Sequence, residues 1–199
     1  MPQAASRPDA TTGSPRPPRA PVVLGAQQPG ERDPARARFP PAPPGEGPVL
    51  EWFQESSSNG IKSGIFVAFL IAAFLSLKDW GFDWITTWGL WAFVLAPIPV
   101  FYLYSRSGGF SAGADWFATS RRRHVQLYEL TKVTVTNPAG VDAWVLELTD
   151  RSGGFAGVKL REVQQNRALW DLVYNGIVHS VNTGTATANE LALDKLQLR

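Results

Sequence analysis

Hydrophobic and polar positions follow different periods along this chain, and each predicts a different element. The middle third is the most uniform. Two apolar runs, 61–77 and 88–104, each hold 17 residues and are joined by a connector of mixed polarity. No charged side chain lies between Lys62 and Lys78, and none between Asp83 and Arg106. A helix needs roughly 20 apolar residues to cross a bilayer. Trp80, Phe82, Trp84, Trp88, Trp91, Tyr102 and Tyr104 stand where an interfacial aromatic belt is expected. The pattern predicts a transmembrane hairpin of two helices, 61–77 and 88–104. Pro97 and Pro99 would disturb a helix in water. Spanning helices accommodate proline where neighbours satisfy the freed carbonyls. The competing readings are a buried hairpin of a soluble protein and a re-entrant hairpin. No other part of the chain is large enough to cover two such helices, which favours spanning.

Beyond a Ser/Gly linker at 105–113 the period shortens. Residues 115–120, 124–130 and 132–137 have strand character, and Val133 and Val135 alternate with polar neighbours. Asn137-Pro138-Ala139-Gly140 signals a turn. Trp144, Leu146 and Leu148 share one face of a strand over 143–149. Asp150 to Gly154 reads as a hairpin loop, and 155–160 returns with Val158 and Leu160 inward. The pattern then turns helical: Val163, Leu169, Trp170, Val173, Ile177 and Val181 suit one helix face. Asn189 is placed to cap a last short helix. An antiparallel sheet covered by a terminal amphipathic helix makes 114–199 an α+β domain.

The first 50 residues have neither period. Residues 1–48 carry 13 of the 16 prolines, and Val22-Val23-Leu24 is their one apolar cluster, so a disordered tail of extended character is expected. Pro18-Arg19-Ala20-Pro21 and Pro40-Pro41-Ala42-Pro43 match P-x-x-P, which says little in so proline-rich a stretch. No apolar core follows Met1, so no signal peptide is expected. An interfacial turn is expected around Trp52-Phe53.

Composition narrows the chemistry. A net charge of +2 does not suit a dedicated nucleic-acid binder. The absence of cysteine removes disulfides, thiolate metal sites and a cysteine nucleophile. Two histidines leave little for a histidine metal site. Arginine outnumbers lysine 14 to 5, which hints at a GC-rich bacterial genome. Gly109-Phe110-Ser111-Ala112-Gly113 matches the G-x-S-x-G elbow, but that motif needs a preceding strand and a large α/β sheet. No paired carboxylates, phosphate loop or metal-ligand spacing appears, so no cofactor, metal or enzymatic activity is expected.

Charge sets the topology. Lys62, Arg106 and Arg121-Arg122-Arg123 flank the spans, whereas the connector has one lysine and two aspartates. The positive-inside tendency then puts both termini in the cytoplasm of a multi-pass plasma-membrane protein. Gly60, Gly64, Ala68, Ala72 and Ser76 recur every four residues and form a narrow seam on the first helix. Such seams let helices approach closely. Chance in an alanine-rich chain, packing within the hairpin, and a homo-oligomeric contact all account for it. No charge lies inside the spans, which argues for an anchor over a transporter.

The order of hairpin, Trp116, the run Leu127 to Val133 between two strands, a glycine-tipped hairpin and a C-terminal helix resembles a family. So does the helix stretch Asn166 to Ser180. They are the bacterial pleckstrin-homology-like (PH-like) domains of small membrane proteins, particularly of high-GC Gram-positive bacteria. The resemblance covers 61–181. It implies a split barrel of two sheets closed by the helix. About five strands are legible where a full barrel has seven, which leaves both a full and a truncated barrel open. Eukaryotic relatives of that fold bind phosphoinositides through spaced basic residues after the first strand. Arg121, Arg122 and Arg123 occupy the corresponding loop without that spacing, so this specificity does not carry over.

Arg121, Arg122, Arg123 and His124 are the candidate membrane-surface residues, each basic group contributing about 1 kcal/mol beside anionic lipid. A solvated loop that merely supports topology is the alternative. Trp116, Trp144 and Trp170 are expected in the core, His179 as a charge at a helix end, and Tyr128, Glu129 and Lys132 in a strand turn. The function expected is a non-enzymatic module at the cytoplasmic face, binding a protein partner or the bilayer surface. The alternative is an accessory subunit of a larger membrane complex, docking through the small-residue seam.

Overall fold

A computed structural model describes residues 6–22, 42–54, 57–78, 81, 83–107, 109–120, 122–138 and 143–199. The chain divides into a helical unit, Gln54–Gly108, and a second unit made of Met1–Phe53 and Gly109–Arg199.

In the helical unit the first apolar run forms one uninterrupted helix, α1 (Ser57–Lys78). The second does not. It is split into α2 (Trp88–Leu95) and α3 (Pro97–Ser107). Pro97 and Pro99 have no N–H to give the carbonyls one turn back, so the hydrogen-bond ladder is interrupted beside Ala96. Among the described residues only α1, over Gly60–Lys78, is long and apolar enough to cross a membrane as a single helix; 88–104 is a shorter apolar stretch. Ala68, Trp84 and Val94 are buried together, with Ile71, Ala72, Leu75, Leu90 and Ile98 packed around them. At Gly64 a Cβ would lie 2.7 Å from the Ile98 Cα, so glycine is what lets α1 and α3 touch backbone to backbone.

The second unit is α+β. One sheet has the order β1 (Glu51–Gln54), β2 (Gly109–Ala112), β3 (Trp116–Ser120), β4 (Arg123–Gln126). The other runs β7 (Phe155–Lys159), β6 (Val145–Asp150), β5 (Leu130–Thr136), β8 (Thr187–Ala188). β5, β6 and β7 pair antiparallel, while β8 joins β5 in parallel. A bulge between Leu130 and Lys132 lets Leu130, Val133 and Val135 all face inward despite their odd spacing.

The described chain thus has eight strands, where about five were legible in the sequence. β1 lies where an interfacial turn was expected, and β2 within the expected linker 105–113. In chain order the helices are inserted between β1 and β2, which are neighbours in one sheet. The expected helix over 163–181 is also divided. Val163 ends the short α4 (Leu160–Val163), and α5 (Arg167–Asn182) starts afresh, the Asn166 side chain accepting from Leu169 N at 3.3 Å. Leu169, Trp170, Val173 and Ile177 of α5 close the core against Val133, Val135, Leu146 and Leu148. Asn189 caps α6 (Glu190–Lys195) through Ala192 N at 3.0 Å. The same side chain bonds both N and O of Val135 in β5.

Candidate functional site

Of the basic cluster, Arg122 lies in the β3–β4 turn, and Arg123 and His124 begin β4. Arg121 lies outside the described residues, and Arg122 and Arg123 are exposed. His124, opposite Ala118 across the ladder, is half-buried. Its Nε2 is 3.5 Å from Glu46 Oε1, and Glu46 also accepts from Gln126 Nε2 at 2.6 Å. His124 is therefore tied to the N-terminal segment, and Arg122 and Arg123 present their charge outward.

The small residues of α1 meet their own hairpin. Gly64 lies on Pro97 and Ile98, and Ala68 and Ala72 belong to the cluster around Val94 and Trp84. Ser76 Oγ donates to Ala72 O at 3.0 Å and accepts from Trp84 Nε1 at 2.9 Å. Gly60 is buried as well.

Ser111 of the G-x-S-x-G match sits inside strand β2, paired opposite Ala118 and buried. A nucleophile elbow needs a sharp turn from strand to helix. Among the described residues no group of three or more His, Asp or Glu side chains is arranged to hold a metal. Trp116 and Trp170 are fully buried, whereas Trp144 is half-exposed with Lys195 Nζ 5.0 Å from its ring centre. His179 sits in α5 with its ring 5.1 Å from that of Tyr128.

The polar contacts that sequence reasoning missed involve the tail. Within the second unit, residues 6–22 and 42–50 make contacts with its 109–199 part, where a tail without fixed contacts was expected. Arg7 Nη2 meets Asp115 Oδ2 at 2.9 Å, and its guanidinium stands 5.3 Å from the centre of the Tyr128 ring. Burial raises the Tyr128 phenol above its ordinary pKa, against the hydrogen bond it accepts from Asn175 Nδ2. Arg16 Nη1 meets Glu51 Oε1 at 3.0 Å.

The next five residues run along α5. Ala20 N donates to Asp171 Oδ1 at 2.8 Å, and Ala20 O accepts from Arg167 Nη2 at 2.6 Å. Pro21 O accepts from Trp170 Nε1 at 2.9 Å. Ala20 is only 2% exposed and belongs to the main core. Burial raises the Asp171 carboxyl above its usual pKa, and the Ala20 N–H, Arg167 and Arg19 oppose it. A cleft of about 320 Å³ opens beside this contact, lined by Pro18, Arg19, Tyr174, Asn175, Val178 and Gln197. The P-x-x-P match at 18–21 was visible in the sequence; the α5 groups that grip it were not.

No protein-family model, curated protein or solved structure matches this chain.

Proposed function

We propose that this chain is a membrane-anchored, non-enzymatic interaction module of the PH-like type. A two-helix hairpin holds it at the cytoplasmic face of a bacterial plasma membrane, where it engages a protein partner or the bilayer surface. The observation that carries this reading is the surface of α1. Over Gly60–Lys78 the helix is apolar enough to span, yet only 17% of its most apolar stretch is buried. Phe66, Phe69, Phe74 and Leu77 are each more than 60% exposed. A core helix of a water-soluble fold would bury such side chains, and lipid is the solvent that suits them. Phe93, Val100 and Leu103 give α2 and α3 the same character as a second pass. The ladder break beside Ala96 is of a kind that spanning helices accommodate.

Two four-stranded sheets with a helix closing their core support the PH-like part of the reading. The arginines after the hairpin support cytoplasmic termini. The accessory-subunit alternative relies on a free small-residue seam, but Gly64 is already covered by Ile98 within the hairpin.

Centrifuged without detergent, the whole protein should pellet with membranes. A monodisperse particle left in the supernatant rejects the anchor. Because the chain has no cysteine, single substitutions report sidedness. An impermeant maleimide should label Thr87→Cys in intact cells and Glu190→Cys only after lysis; the reverse pattern overturns the orientation.

A further inference from the structure

We infer that the α5 face carrying Arg167, Trp170 and Asp171 is a recognition site for extended Pro-x-Ala-Pro segments. Here it is filled by the chain's own residues 18–21, and in trans its partner is a protein presenting such a segment. The requirements are read from the occupant. Among the described residues the hydrogen bonds to it reach backbone: Ala20 N, Ala20 O and Pro21 O. The third position must keep its N–H for Asp171, which excludes proline there. Its side chain is buried and belongs to the main core, which favours a small residue there. The fourth position uses only its carbonyl, so proline loses nothing, and its fixed φ reduces the chain freedom lost on binding. Arg19 remains exposed, so the second position is permissive. A basic second residue adds attraction to Asp171. Proline-rich segments are extended beforehand and lose little entropy on docking, which makes them suited to a shallow site of this kind.

The covalently attached segment is therefore a built-in competitor for any outside ligand. This deepens the interaction-module reading by naming its partner's chemistry. It does not require the hairpin to span a bilayer, and a test in detergent fails or succeeds independently of that.

Trypsin supplies the first readout. The Arg19–Ala20 bond is a substrate, whereas Arg7–Pro8 and Arg16–Pro17 are not. In the docked segment both backbone groups of Ala20 are engaged, so this bond cannot extend into a protease cleft. Cleavage after Arg19 in the full chain should be slower than in a free peptide of residues 14–22 by about tenfold or more. Ala20→Leu and Asp171→Ala should each bring the rate to within about twofold of the peptide's, while Ala20→Gly keeps protection.

Recognition in trans is read by fluorescence anisotropy with a labelled peptide of residues 15–22 carrying Arg19→Gln. It should bind the Ala20→Leu chain, whose own tail no longer fills the site. That binding should be about tenfold or more tighter than binding to the parent or to the Ala20→Leu/Asp171→Ala chain. Cleavage of the parent at the free-peptide rate overturns the docked site. Equal peptide binding by all three chains overturns recognition in trans.

Discussion

The carboxylate of Asp150 accepts the backbone N–H of Gln126 at 2.9 Å, linking the end of β6 in one sheet to the end of β4 in the other. Its second oxygen accepts Ser152 N, Ser152 Oγ and Gly154 N at 2.9, 2.7 and 2.8 Å. One side chain thus closes the β6–β7 turn and joins the two sheets. Gly154 is required at that junction because a Cβ there would lie 2.5 Å from His124 O.

Asp150→Ala should lower stability by about 2–3 kcal/mol, since hydrogen bonds to a buried charged group are the strong ones. Burial pushes the Asp150 carboxyl up, but its four hydrogen bonds together hold it below the usual carboxylate range. The folded state therefore binds this proton less readily than the unfolded chain. The stabilisation is complete above the unfolded pKa of about 4 and lost as pH falls through the lower folded value. Thermal unfolding in detergent between neutral and acid pH should show a steeper acid loss in the parent than in Asp150→Asn. Parallel curves would refute the role.

Gly176→Ala weighs propensity against space. Alanine gains about 1 kcal/mol inside a helix. The new Cβ, however, would sit 2.5 Å from Leu127 Cβ and 2.9 Å from its carbonyl oxygen. The Ser180 Oγ bond to Leu127 O at 3.0 Å holds the same contact. Overpacking costs about 1–3 kcal/mol, so a net loss of up to about 2 kcal/mol is expected in thermal unfolding. A midpoint raised by the full propensity gain would mean α5 can retreat from the β4–β5 turn at no cost.

Gln164 offers a gain. It is buried, and neither its amide nitrogen nor its oxygen has a hydrogen-bond partner among the described residues. Gln164→Met keeps the shape and removes the unpaired polar atoms, so stability should rise by about 1 kcal/mol. Destabilisation would show that the amide is satisfied in solution.

The arginine turn is tested in nanodiscs. If Arg122 and Arg123 lean on anionic headgroups, tryptic cleavage there should slow by about fivefold or more when anionic lipid replaces neutral lipid, as about 1 kcal/mol per basic residue implies. Raising the salt concentration should cancel the difference. Equal rates in both lipids would leave the cluster as a solvated loop.

The elements with a strong period were legible in the sequence: α1, the alternating faces of β5 and β6, and the apolar stripe of α5. What escaped had no period to show. β1 and β2 have four residues each, and β2 mixes glycine and serine with one aromatic. The docking of Ala20 on Asp171 joins groups 151 positions apart, so no local pattern could announce it. The seam of α1 was visible from its four-residue spacing, but its position against α3 depends on how Ile98 approaches Gly64. Pro97 was visible too; read as tolerated, it ends one helix and begins another.

The insertion of the helices between β1 and β2 has a mechanical consequence. Two strands that neighbour each other in one sheet lead into and out of the helical unit. A single proteolytic nick on either side of the helices would leave the fragments joined through the hydrogen bonds of that strand pair. Shedding the sheet unit takes two cuts. A version without the helical unit is made by excision and religation across 53 and 109, not by truncation from one end.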